Sequence, residues 1–170
     1  MQRRASPNDG SPTPEAVSAT ARREDDPLRR MLLALVFLGA VGLLTELGLL
    51  EHFDSATQWI PLALLAVVVG AAVAVYVRGG RGTVRFFQGV MTLCVVTGAI
   101  GVWLHYRGNV EFELERDGSL HGLRLFWEAI RGATPALAPG ALSQLGLLGL
   151  VYTFRHPTLR ASITSSLEDS

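Results

Sequence analysis

Long apolar runs broken by short polar segments set the layout of this chain. A nearly continuous run, Met31 to Leu50, matches the ~20 residues a helix needs to cross a ~30 Å hydrocarbon layer. A second run covers residues 58–77 and a third 84–106. A fourth, 134–154, opens on Thr134-Pro135, an N-cap residue followed by proline at the first helical position. Pro139-Gly140 falls one turn inside it and predicts a kink or an irregular first turn there. The pattern predicts an all-α membrane protein, a four-transmembrane-helix bundle over residues 28–156. The polar flanks, 1–27 and 157–170, read as tails, the first being too rich in Ser, Pro and charge to order itself.

Between the third and fourth runs, residues 107–133 are too polar to span and too patterned for a plain loop. Val110, Phe112 and Leu114 alternate with Glu111, Glu113 and Glu115, the period of a strand, and Arg116-Asp117-Gly118-Ser119 then supplies turn chemistry. A short extended segment is the expectation. After it, Leu123, Phe126, Trp127 and Ile130 share a helical face opposite Arg124, Glu128 and Arg131, the pattern of an amphipathic helix lying in the membrane interface.

Charge fixes an expected orientation. All 15 basic residues are Arg, and the formal net charge is zero, so no basic field points to nucleic acid. Six lie before the first run, three in the Gly-rich loop Arg78–Arg85 and two after the fourth, against four in 107–133. Retention of Arg on the cytoplasmic side predicts both termini inside and 107–133 outside, as in a bacterial inner membrane. The first run follows about thirty polar residues and lacks a small-residue cleavage site, which argues against a signal peptide. One cysteine, Cys94, inside an apolar run, excludes dithiol redox chemistry within the chain.

Candidate chemistry gathers at the outer end. Glu46 stands inside the first run, where an ionised carboxylate costs ~2–3 kcal/mol unless paired or hydrated. Gly39 and Gly42 precede it by seven and four residues, on the same helical face, so Glu46 is expected either to point into the bundle or to sit shallow enough to reach interfacial water. Cys94, Thr97, Gly98, Gly101 and His105 form a small, weakly polar stripe along the third helix. Glu51, His52 and Asp54 follow the first helix, and Asn109, Glu111 and Glu113 follow the third, so the outer rim collects imidazole and carboxylate groups. His52, His105, Glu51, Asp54 and Glu111 are the side chains that could supply a metal with two imidazoles and one or two carboxylates, although no ligand spacing such as HExxH fixes the set. A haem would need histidines facing each other deeper in the bundle, and nothing else here supports one. Gln144 is expected to be a buried amide bonding between helices. His121 and His156 are expected to meet water and headgroups.

Two resemblances accompany this reading. Four helices with a single membrane carboxylate in the first, Glu46, resemble the small multidrug-resistance exporters; this chain is longer, carries the outer segment and places its acid near the outer rim, so their activity is not carried over. The runs WLHYRGNVEFE, from Trp103 to Glu113, and PALAPGALSQLGLLGLVYTFRHP, from Pro135 to Pro157, are similar to pieces of uncharacterised bacterial four-helix membrane proteins, which implies no activity. The functional expectation is a non-enzymatic accessory or scaffold protein in the lipid bilayer, with a membrane-protein partner or a homo-oligomer. The alternatives are an outer-face metal or small-ligand site and, third, proton-coupled transport through Glu46 in an oligomer. No cofactor is indicated.

Overall fold

The computed structural model describes residues 14–50, 58–132 and 139–159, with side chains from residue 27 onward. Five helices make up the described chain: α1 (Pro14–Leu49), α2 (Trp59–Arg78), α3 (Arg81–Arg116), α4 (Gly122–Arg131) and α5 (Gly140–Thr153). The chain divides into two units, Met1–Met31 and Leu32–Ser170.

The first unit holds the N-terminal half of α1. α1 begins at Pro14, inside the stretch read as a tail, while residues 1–13 lie outside the described residues. Proline suits the first helical position, and the Ala and Arg that follow are good helix formers, so this stretch gains helix from local propensity without needing an apolar face.

The second unit is built around α3, which packs most extensively on α5, then on α2 and on α4. Leu33, Val36 and Ala40 of α1, Leu65, Val68 and Ala72 of α2, Phe87, Met91 and Cys94 of α3, and Leu142, Leu145 and Tyr152 of α5 form one buried cluster. The α2–α3 reversal is tighter than expected. Gly79 adopts φ +57°, which glycine tolerates without a Cβ clash, and its N–H donates to the Val75 carbonyl at 2.9 Å. The helix therefore stops at Arg78, and α3 begins only three residues later, at Arg81.

Among the described residues three helices are long and apolar enough to cross a membrane: Pro27–Leu49, Trp59–Arg78 and Arg81–Arg116. The fourth expected run contributes α5, an apolar helix of 14 residues. Its expected cap, Thr134-Pro135, lies outside the described residues, and Pro139 stands at the N-cap of α5. On the α3–α5 seam, a Cβ on Gly146 would lie 2.6 Å from the Met91 carbonyl oxygen, and one on Gly98 would lie 2.6 Å from the Ser143 nitrogen. Only glycine admits that approach of backbones. Ser143 Oγ then donates to the Val95 carbonyl at 3.0 Å, tying the two helices with a side-chain bond.

The expected extended segment at 110–114 is a correction. These residues continue α3 without a break, and no strand occurs among the described residues. Extending an existing helix avoids the cost of a new nucleus. Arg107–Glu111 and Glu113–Arg116 pair at helical spacings of four and three, a pairing an extended strand would not make. The predicted turn is present. Ser119 donates its N–H and its hydroxyl to Asp117 Oδ1 at 3.0 and 2.6 Å, ending the helix in an Asx turn.

Candidate functional site

The 21 residues from 86 to 106, between Arg85 and Arg107, cover about 31 Å of helix, close to the hydrocarbon thickness. By length alone, Arg107 stands where a spanning α3 would leave the apolar layer, and residues 107–116 carry the helix about 15 Å further. At that level α4 meets α3. Gly122 lines a groove with Arg107 and Glu111, whereas a Cβ on Gly132, past the other end of α4, would lie 2.9 Å from the Asn109 side chain. Both ends of α4 therefore reach the same short stretch of α3, so α4 crosses α3 and does not run along it.

Asn109 fixes this crossing. It is fully buried, and its Nδ2 donates to the Ala129 carbonyl at 2.9 Å. Glu113, one turn further and also buried, accepts from Arg116 Nε at 3.0 Å and Nη2 at 2.5 Å. With Ala129 facing α3, the apolar side chains Leu123, Phe126 and Trp127 remain exposed on the adjoining side of α4. Asp117, at the tip of the turn, is held below the usual carboxyl value of 3.8, chiefly by the Ser119 hydroxyl and then by the Ser119 N–H.

The groove between α3 and α4 has a volume of about 280 Å³. Trp103, Tyr106 and Phe126 form its aromatic wall, with ring centroids 6.3 Å apart for the first pair and 5.9 Å for the second. Arg107 Nη2 and Glu111 Oε1 pair along its α3 wall at 3.1 Å. The sequence reading singled out Glu111 but missed this set. Its signal is the helical spacing of Trp103, Tyr106, Arg107, Val110 and Glu111, visible only once 107–116 is read as helix.

The expected site residues separate. Glu46 is exposed, so of its two expected placements the one inside the bundle does not hold within this chain. The inward stripe of α1 runs through Leu33, Val36 and Ala40 to Leu43, Leu44 and Leu47, and Glu46 falls beside it. Its carboxylate meets no hydrogen-bond or ion-pair partner among the described residues. Glu51, His52 and Asp54 lie outside the described residues. His105 continues the Gly98–Gly101 stripe; its Nδ1 is buried and has no hydrogen-bond partner. Glu111, six residues on, is turned about 120° around α3 from His105. Among the described residues no three His, Cys, Asp or Glu side chains come close enough to hold a metal. Gln144 is exposed, a second correction; its neighbour Ser143 makes the interhelical bond expected of it.

His121 is exposed, as expected, and its Nδ1 lies 2.7 Å from the Ser119 carbonyl. His156 departs from expectation. It is buried, with Nε2 3.3 Å from the Tyr152 hydroxyl and Nδ1 against the Thr158 hydroxyl. Tyr152 in turn stacks edge-on against Phe87 at 5.6 Å, so this end of the α3–α5 seam closes on a small polar network. Comparison with known protein families, with curated proteins and with solved structures yields no match to this chain.

Proposed function

We propose that this chain is a non-enzymatic accessory or scaffold subunit of a bacterial inner-membrane complex, crossing the bilayer four times with both termini in the cytoplasm. The fourth crossing is the segment that ends in α5. One observation carries the scaffold reading: only 17% of the membrane-crossing window of α1 is buried by the chain itself, about half the share of α2 at 33%. Gly42, on the uncovered side of α1, has nothing within 4 Å of a built Cβ, so another helix can approach the backbone closely there. Photo-crosslinking from position 42 in intact membranes, followed by native purification, tests it. A discrete crosslinked adduct, either with a second copy or with one other membrane protein, is the expected result. A product that remains monomeric and uncrosslinked overturns the proposal.

A second reading, a small-ligand or metal site on the outer rim, is favoured by the unpartnered His105 Nδ1. It predicts stoichiometric metal in protein purified without chelator, and loss of that metal in His105→Ala. Metal-free protein removes the metal form of this reading.

A further inference from the structure

The α3–α4 groove has a chemical order that a phospholipid matches. Along α3, toward the polar end, come exposed apolar Trp103 and Leu104, then Arg107, then Glu111 one turn further out. Acyl chain, phosphate and amine follow one another in the same order along an aminophospholipid. The two-carbon spacer of its headgroup keeps the opposite charges about 5 Å apart, close to the rise of one helical turn between the Arg107 and Glu111 backbone positions, whose side-chain ends pair at 3.1 Å.

We propose that the groove between α3 and α4 binds the phosphate–ammonium headgroup of a membrane aminophospholipid. Arg107 binds the phosphate as a fork of N–H donors, of which the Glu111 contact occupies only one side. Glu111 and the rings of Tyr106 and Phe126 bind the ammonium, the carboxylate by charge and the rings through their negative faces. Trp103, half-exposed at the boundary of the apolar layer, packs beside the upper acyl chain, the depth at which tryptophan is enriched in membrane proteins. Arg107 and Glu111 have side chains 58% and 65% exposed, and an ion pair so exposed is weak, so it opens to admit the ligand at small cost. The exposed apolar side of α4, with Leu123 and Trp127, places bilayer and groove at one level. This site rests on α3 crossing the membrane and is independent of the scaffold reading.

The test is competitive lipid retention by the full chain in detergent, read by native mass spectrometry. Equimolar phosphatidylethanolamine and phosphatidylglycerol are offered, which share the phosphate and differ in the amine. The wild-type chain is expected to retain the amine lipid about tenfold more, the ratio expected for an added charge and cation–π contact. Glu111→Gln is expected to bring that preference close to unity, Phe126→Leu to reduce it, and Arg107→Gln to lower retention of both lipids. Arg107 and Glu111 are exposed, so helix content by circular dichroism should stay at the wild-type value in their variants and serves as the control. Equal retention of the two lipids by the wild type overturns the proposal, as does a preference unchanged in a folded Glu111→Gln. Free O-phosphoethanolamine, lacking acyl chains, is the third probe. Displacement of the lipid by it at equal concentration would overturn the lipid source in favour of a soluble phosphoamine.

Discussion

At the scale of single residues, Asn109 has the clearest assignment. Its amide is buried where α4 crosses α3, and its donor reaches Ala129 at 2.9 Å. Asn109→Ala leaves the Ala129 carbonyl without that partner, and an unsatisfied buried group costs about 1–3 kcal/mol. Hydrogen exchange should show α4 amides losing protection in the variant while α2 amides keep theirs. Asp117 gives a pH-dependent counterpart. Because its native carboxyl titrates below 3.8, the Asx turn is stabilised by ionisation above that pH and loses the contribution as pH falls through the lowered native value. The protection factor of the Ser119 amide should therefore drop below pH 3.8, and Asp117→Asn should remove the dependence. The turn was legible in the sequence because Asp-Gly-Ser chemistry is local. Gln144 was misplaced, and Glu46 left between two placements, for the opposite reason. Which side of a membrane helix faces the bundle depends on neighbouring helices, and apolar residues encircle α1 and α5, so composition does not mark the inward stripe.

Among the elements, α3 shows how two periodicities compete. Residues 110–115 alternate strictly, yet Asn109 and Glu113, spaced four apart, are the buried pair, and the helical period prevails because α4 covers that face. The small stripe from Cys94 through Gly98 to Gly101 was legible, since small residues at spacings of three and four have few uses in a membrane helix besides close packing. The structure gives its partner, Pro139 at the N-cap of α5 and Ser143 within it. Reciprocal small positions on α5 make a quantitative prediction. Gly146→Ala brings a Cβ within 2.6 Å of the Met91 carbonyl, an obstruction that backbone cannot relieve cheaply, and overpacking of this kind costs about 1–3 kcal/mol. Gly42→Ala meets open space and gains helix propensity, so it should leave stability unchanged or raise it by up to about 1 kcal/mol. Denaturation in mixed micelles, followed by labelling of the buried Cys94 thiol as it becomes accessible, measures both.

For the whole molecule the open quantity is the number of crossings, and two physical measures of it point different ways. Among the described residues three helices reach spanning length, whereas α5 has 14 residues, about 21 Å, short of the ~30 Å layer. The apolar run from 134 to 154 is long enough when residues 133–138 are included, and Arg counting places both tails on one side, which an even number of crossings requires. Parity makes this a decisive measurement. In a Cys94→Ala background, single cysteines are introduced as Ser11→Cys, Ser119→Cys and Ser165→Cys and challenged in intact cells with a membrane-impermeant maleimide. With four crossings and Arg kept inside, only the Ser119→Cys chain is labelled before lysis. If the segment ending in α5 fails to cross, Ser119→Cys and Ser165→Cys are labelled together while Ser11→Cys stays protected. That outcome would leave α5 as a re-entrant helix held against α3 by the Gly98–Ser143 and Gly146–Met91 contacts, with the same packing but the C-terminal tail outside.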